Sequence, residues 1–345
     1  MSQFTVAVVG VGAVGEEMLR VLAQRNFPAR EIRALARSAR TITVDGRSYD
    51  VQETTPEAFE GVDIALFAGT EGESGAAVTF AAEAVRRGAI VIDNGADFRM
   101  KPEVPLVVPE VNADAIEKHQ GIISNPNCST IQMVVALKPL HDAGKLKRVI
   151  VSTYQAVSGT GRAAIRELEA QVKAWASGEE LPAPSAYKYP IAFNLIPQIG
   201  SFRPDYYTSE EWKMIAETHK ILGDDSIAIS ATTIRVPVFN SHSEAVTVET
   251  EEKITREEAL RLLAAAPGIV VVDDPSVAGE GGPAYPMPIE TTGKDLTYVG
   301  RVREDPFVPN TLHMWVVADN IRKGAATNAV QIAEALVERG LVGKK

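Results

Sequence analysis

Phe4-Thr5-Val6-Ala7-Val8-Val9, followed directly by Gly10-Val11-Gly12-Ala13-Val14-Gly15, is the stretch that decides the fold. Its first half is a short apolar run of strand type, and the amphipathic stretch from about residue 16 to 25 has helical spacing. The turn between them fits G-x-G-x-x-G in the context that gives that pattern meaning, after a strand and at the opening of a helix. Working outward, residues 32–36, 64–68 and 90–92 read as further strands, and 75–87 as a helix. Strands alternating with helices predict a doubly wound, Rossmann-type parallel sheet. Because these strands are apolar throughout, both faces of the sheet are expected to be covered.

The pattern changes after about residue 150. Residues 149–154 read as a strand, 163–176 as a polar-faced helix, and 181–197 as a Pro-rich irregular stretch. Strands at 228–236 and 245–249 flank a turn near Asn240, and a helix at 257–265 and a strand at 269–272 follow. Short turns between successive strands predict an antiparallel or mixed sheet in a second, α+β domain. A last strand at 314–318 precedes a helix at 326–339 that is expected to return to the first domain. No internal repeat or low-complexity segment is visible.

The glycine turn predicts a dinucleotide site. Gly10 permits the tight turn, Gly12 lets a pyrophosphate approach the backbone, and Gly15 allows close helix–strand packing, with Ala13 and Val14 between them. The second strand runs into Arg37-Ser38-Ala39-Arg40, with no acidic residue before Asp45. A carboxylate there would bind the ribose hydroxyl of NAD, whereas guanidinium groups and a hydroxyl suit the 2′-phosphate of NADP. NADP is therefore the expected cofactor, with Arg37, Ser38 and Arg40 at its phosphate.

Composition narrows the rest. A net charge of −10 argues against general nucleic-acid binding, which needs clustered Lys and Arg. A single cysteine excludes an intramolecular disulfide framework, and without a Cys/His cluster no metal site is expected. Met1-Ser2-Gln3 enters a strand-like run without the features of a signal peptide, and no apolar stretch has the length of a membrane span. A cytoplasmic location is expected.

The cysteine, Cys128, lies in Asn125-Pro126-Asn127-Cys128-Ser129-Thr130, just before Ile131, Val134, Val135, Leu137 and Leu140 at helical spacing. Gly144 is expected to cap that helix at its C-terminus. Cys128 thus stands at a helix N-terminus, where unpaired N–H groups and the macrodipole favour an anion and so a nucleophilic thiolate. A nucleophilic sulfur in a nicotinamide-binding chain suggests a thioacyl-enzyme, reduced by hydride to an aldehyde. Such chemistry calls for a general acid/base, and histidine is the usual choice. Of five histidines, His119, His141 and His313 have structural explanations. His219 and His242 both lie in polar, loop-like strings, and sequence physics does not rank them.

Asn125-Pro126-Asn127-Cys128, Tyr154-Gln155-Ala156-Val157-Ser158-Gly159, Glu217-Thr218-His219-Lys220, and Arg235-Val236-Pro237 with His242 resemble, in order, motifs of the aspartate-semialdehyde dehydrogenase family. So do Val107-Val108-Pro109-Glu110-Val111-Asn112 and Asn328-Ala329-Val330-Gln331-Ile332-Ala333-Glu334, and the likeness spans almost the whole chain. The resemblance implies NADPH-dependent reduction of β-aspartyl phosphate to aspartate semialdehyde and phosphate, on the route to lysine, threonine and methionine. It implies Cys128 as nucleophile, His242 as acid/base, and Gln155 as the residue that orients the intermediate. Arg235 would clamp the substrate α-carboxylate and Glu217 its amine, with Arg99, Lys220 and Asn127 at the phosphate. Ser158, Gly159 and Asn320 would meet the cofactor. The domains implied are 1–127 for NADP, with a C-terminal segment 321–345 packing back on it, and 128–320 for catalysis and for assembly into a homodimer or homotetramer.

Two departures from the family pattern are visible. The glycine turn is one residue shorter, and Ala96-Asp97-Phe98-Arg99 is closer to N-acetyl-glutamyl-phosphate reductase, placing an acidic residue near a phosphate ligand. Alternatives at this stage are that reductase, an acyl-CoA reductase of the same architecture, or a catalytically silent NADP-binding scaffold.

Overall fold

The computed structural model describes residues 3–69, 72, 75–278 and 282–343; Met1, Ser2 and residues 344–345 of the expected C-terminal segment lie outside them. The chain separates into two compact units, Met1–Asn127 with Ala325–Lys345, and Cys128–Gly324. Unit 1 opens with β1 (Phe4–Val9), α1 (Ala13–Gln24), β2 (Ala29–Ala36), β3 (Arg40–Val44) and β4 (Arg47–Glu53). It continues through β5 (Ile64–Phe67), α2 (Ala76–Arg86), β6 (Ile90–Asp93), the single turn α3 (Pro109–Asn112) and β7 (Ile122–Ser124). Unit 2 begins with α4 (Cys128–Gly144), β8 (Leu146–Gln155), α5 (Arg162–Ala176), α6 (Ser209–Leu222) and β9 (Ala228–Arg235). Then come β10 (His242–Thr250), α7 (Arg256–Ala265), β11 (Ile269–Val271), the short α8 (Pro288–Thr291), β12 (Thr297–Glu304) and β13 (Thr311–Ala318). A π-helical turn at Arg322–Ala326 leads into α9 (Thr327–Glu338), which belongs to unit 1.

The sheet of unit 1 has the order β3-β4-β2-β1-β5-β6-β7 and is parallel except for the β3–β4 pair. Successive side chains along its strands enter two different cores. Val6, Val8, Ile64, Leu66, Ile90 and Ile92 pack with Met18 and Leu22 of α1 and with Val330, Ala333 and Leu336 of α9. Ala7, Val9, Ala65, Phe67 and Val91 pack with Ala77, Ala81 and Ala84 of α2. Both faces are buried, hence the uninterrupted apolar strands. The order runs outward in both directions from β1, so the turn after β1 sits at the topological switch point, where open α/β sheets bind ligands.

The sheet of unit 2 is mixed, in the order β11-β12-β13-β10-β8-β9. Although β9 and β10 are consecutive they do not pair; β8 lies between them, parallel to β9 and antiparallel to β10. Helix α4 packs against β8, β10, β12 and β13. Along β8, Val149, Val151, Thr153 and Gln155 are buried, whereas Arg148 and Ile150 are exposed and Ser152 and Tyr154 half-buried. Tyr154 meets Trp315 of β13 with ring centroids 5.3 Å apart.

Gly144 is not the cap that the sequence suggests. It is the last helical residue, and an added Cβ would lie 2.8 Å from Ile254 Cδ1. Close packing selects glycine there, and Lys145 takes the left-handed conformation instead, at φ +51°. Among the described residues, no helix is long and apolar enough to cross a membrane, and no cluster of His, Cys, Asp and Glu is arranged for a metal ion.

Candidate active site

In unit 1 the glycine turn has the form a dinucleotide requires. Gly10 has φ +93°, a conformation that L side chains rarely adopt. A Cβ at Gly15 would lie 1.9 Å from the Gly10 carbonyl oxygen, so helix and turn touch there. Among the described residues, a Cβ at Gly12 meets nothing within 4 Å and no side chain caps the N-terminus of α1. Open space over uncapped N–H groups is what a pyrophosphate needs, so these residues fit the cofactor. Arg37 and Ser38 are exposed in the β2–β3 turn, and Arg40 begins β3. The Arg40 guanidinium lies 3.5 Å from the Val11 carbonyl, spanning from that turn to the glycine turn.

Arg99, also in unit 1, is only 5% exposed; its Nε donates to the Asn125 carbonyl (3.0 Å) and its Nη2 to that of Asn94 (2.7 Å). It braces the strand of chain that continues through the buried Asn127. Asp97 is turned to the Gly72 N–H, which donates to both carboxylate oxygens at 3.2 and 3.3 Å. Asn328 of α9 donates to the Val107 carbonyl and to Asn125 Oδ1, linking three of the motifs that carry the resemblance.

In unit 2, Cys128 is the first residue of α4 and partly accessible. Gly324 packs directly on it: a Cβ at Gly324 would lie 2.9 Å from Cys128 Cβ and 3.3 Å from its Cα. His242 was expected in a loop but is the fully buried first residue of β10. Ala156 ties the remaining groups together, since its N–H donates to His242 Nδ1 (3.0 Å) and its carbonyl accepts from Arg235 Nη1 (2.5 Å). With Nδ1 occupied as an acceptor, the proton of the neutral imidazole resides on Nε2. Nε2 has no partner among the described residues. Burial first, and the Arg235 charge second, hold the His242 pKa well below the usual histidine value. A Cβ on Gly159 would come within 3.0 Å of Arg235 Nη1 and 3.2 Å of His242 Nε2, so a bare glycine backbone keeps the space before both groups open.

His219, the other candidate, is accounted for differently. Its Nε2 is 2.8 Å from the Ile227 carbonyl, and it lies on α6, not in a loop. Hydropathy hides this helix because its buried face carries Glu210, Glu211, Glu217 and Thr218. A capping box, Thr208 with Glu211, starts it, and the same Glu211 carboxylate accepts from the Thr233 N–H at 3.0 Å. Glu217 is buried and Lys220 half-buried, one turn apart on α6. Ser158 and Asn320 hydrogen-bond to each other, and Asn320 Oδ1 also accepts from the N–H of Ser241 (3.0 Å). Ser241 sits in the left-handed region at φ +71°, immediately before His242. Gly324, and the pair Thr153 and Glu210 that flank Gln155, escape sequence reading because only tertiary packing brings them to these positions.

A semialdehyde dehydrogenase NAD-binding domain model matches residues 5–119, and a semialdehyde dehydrogenase dimerisation domain model matches residues 137–323. An aspartate-semialdehyde dehydrogenase of Aquifex aeolicus is 50% identical over 98% of this chain and 99% of its own. The chain belongs to the aspartate-semialdehyde dehydrogenase family. Among solved structures, aspartate semialdehyde dehydrogenase II of Vibrio cholerae, complexed with ASA, is similar at 45% identity and a TM-score of 0.91, covering 98% of this chain and 99% of that one. The Candida albicans enzyme with NADP is similar at 25% identity and a TM-score of 0.73, with 98% and 99% covered. This family membership agrees with a fold of two α/β units, one built on a parallel sheet and one on a mixed sheet.

Proposed function

We propose that this chain is an NADP-dependent, phosphorylating aldehyde dehydrogenase that interconverts β-aspartyl phosphate and aspartate semialdehyde through a thioacyl group on Cys128. The observation that carries the reading is the arrangement in unit 2. A cysteine opens a helix, and the space kept by Gly159 is faced by a neutral imidazole Nε2 and a guanidinium.

In the reductive direction the Cys128 sulfur attacks the acyl carbon, and the bond to the phosphate oxygen breaks, so that phosphate leaves with the electron pair. NADPH, when bound, supplies the hydride that reduces the thioacyl carbon. His242 Nε2 holds the proton facing the substrate oxygen as negative charge gathers there. Collapse of the tetrahedral group releases the aldehyde and returns the electron pair to sulfur. Arg235 presents a planar fork suited to a substrate α-carboxylate, and Glu217 a carboxylate for its amine. Arg99, Lys220 and Asn127 are assigned to the phosphate. Gly10, Gly12, Ala13, Val14, Gly15, Arg37, Ser38, Arg40, Ser158, Gly159 and Asn320 are assigned to the cofactor.

The partly exposed sheet face with Ile150, Tyr154 and Trp315 lies within the segment matched by the dimerisation-domain model, and we assign it to pairing of two copies. A free thiol nucleophile and a reduced nicotinamide suit a reducing compartment, which supports a cytoplasmic location. The test is phosphate-dependent reduction of NADP with aspartate semialdehyde. Wild-type enzyme should turn over. Cys128→Ala should not, while still binding NADP with nearly unchanged affinity. Turnover by Cys128→Ala at a comparable rate would end the thioacyl reading.

A further inference from the structure

Gln155 ends β8 almost fully buried, and its amide is held at both ends. Thr153 Oγ1, two residues back on the same face of the strand, donates to Gln155 Oε1 at 3.0 Å. Gln155 Nε2 donates to Glu210 Oε1 at 3.3 Å. Glu210 stands in the first turn of α6, 8% exposed, with Lys213 Nζ 3.8 Å from its other oxygen. A carboxylate in so dry a position is costly unless it is hydrogen-bonded, so its placement calls for a role.

A glutamine amide has nearly the same shape with its oxygen and nitrogen exchanged, so packing alone does not decide which end faces which neighbour. Glu210 decides it. A carboxylate only accepts, and the nitrogen of Gln155 must therefore face it. The Thr153 hydroxyl, which can either donate or accept, is then left to donate to Oε1. The three groups form a chain of fixed polarity, Thr153 to Gln155 to Glu210, and among the described residues one Nε2–H of Gln155 remains over. A spare, preorganised N–H is what an acyl oxygen requires as negative charge develops on it.

We propose that Glu210, assisted by Thr153, is a positioning residue that fixes the Gln155 amide so that its second N–H is available to the acyl oxygen of the substrate. This rests on the function proposed above. Glu210→Gln keeps the shape but removes the acceptor-only character, so the Gln155 amide can turn over and present its oxygen instead.

The experiment is a double-mutant cycle of Glu210→Gln with Gln155→Ala, reading kcat and KM for each substrate together with the melting temperature. Glu210→Gln alone should lower kcat by roughly tenfold, about one lost neutral hydrogen bond to the transition state, with the KM for NADP unchanged. In the Gln155→Ala background it should cost less than about twofold, because the group it acts through is gone. Equal losses in both backgrounds, or no loss in the first, overturn the proposal. If Glu210→Gln lowers the melting temperature too far for assay, Thr153→Val tests the same chain from its other end with the same expected coupling. Wild-type enzyme lacking phosphate-dependent NADP reduction would sink the underlying function. Wild-type turnover with additive losses would sink the positioning role alone.

Discussion

His242 and His219 look alike in sequence, each a histidine in a polar string, and separate only once their ring partners are known. The Ala156 N–H occupies His242 Nδ1, and Nε2 has no partner among the described residues, whereas His219 Nε2 is engaged by the Ile227 carbonyl. His242→Asn should therefore lower kcat by roughly 10²–10⁴-fold, the usual cost of a lost acid/base group. His219→Asn should act on thermal stability and leave kcat within a few-fold. Steady-state kinetics on both variants checks this, and the reverse pattern would exchange the two roles. Arg37 is a second residue whose meaning depends on place. It is exposed just beyond β2, where NADP would carry its extra phosphate. A charge-assisted hydrogen bond to that group contributes on the order of 1.5–3 kcal/mol. Arg37→Ala should raise the KM for NADP roughly 10–100-fold and leave that for NAD nearly unchanged. An unchanged ratio of kcat/KM for the two coenzymes would put the phosphate elsewhere.

At the scale of elements, α4 shows how a helix end is settled by packing. Lys145 accepts the left-handed conformation because Gly144 is committed to Ile254, and the Lys145 N–H closes the helix on the His141 carbonyl. Lys145→Gly should stabilise the fold by about 0.5–1 kcal/mol, since glycine takes that conformation without steric cost and the exposed ion pair to Glu251 contributes little. Chemical denaturation would show it as a raised midpoint; a lowered one would mean that the longer side chain matters more than the backbone. Elements whose apolar spacing is strong, such as β1, α1 and α4, were legible in the sequence. Helix α6 was not, because Glu210, Glu211, Glu217 and Thr218 share its buried side with Met214, Ile215 and Ile221 and interrupt the apolar spacing. The β3–β4 pair at the sheet edge was also missed: each strand offers only two alternating apolar positions, Ile42 and Val44 in one and Tyr49 and Val51 in the other, among exposed polar residues. For the site, the glycine turn and the cysteine at a helix start could be read from local pattern. The contacts of Ala156, Gly159 and Gly324 with the reacting groups join segments far apart in sequence and left no local trace.

For the molecule as a whole, two titratable groups on β10 are completely buried and act on stability with opposite sign. Burial drives the Glu244 carboxyl well above its ordinary value of 4.5, offset in part by the Gln132 amide. Burial also holds His242 well below its ordinary 6.5, with Arg235 adding to the effect. Below about pH 6.5 the unfolded chain takes up a proton at His242 that the folded chain refuses, so stability falls as pH falls. Above about pH 4.5 the unfolded chain ionises Glu244 while the folded chain keeps it protonated, so stability falls as pH rises, until the folded carboxyl itself ionises. Between these values the two slopes oppose and largely cancel, and above about pH 6.5 that of Glu244 stands alone. Glu244→Gln, neutral at every pH and close in shape, removes this slope. The stability difference between variant and wild type should therefore shift in favour of the variant by up to about 1.4 kcal/mol per pH unit above neutrality. Urea denaturation of both proteins from about pH 6.5 to 9, the range above the histidine's ordinary value, measures it. A difference that stays constant over that range would mean that Glu244 is already ionised in the native protein, and that its charge is met by a group which packing alone does not reveal.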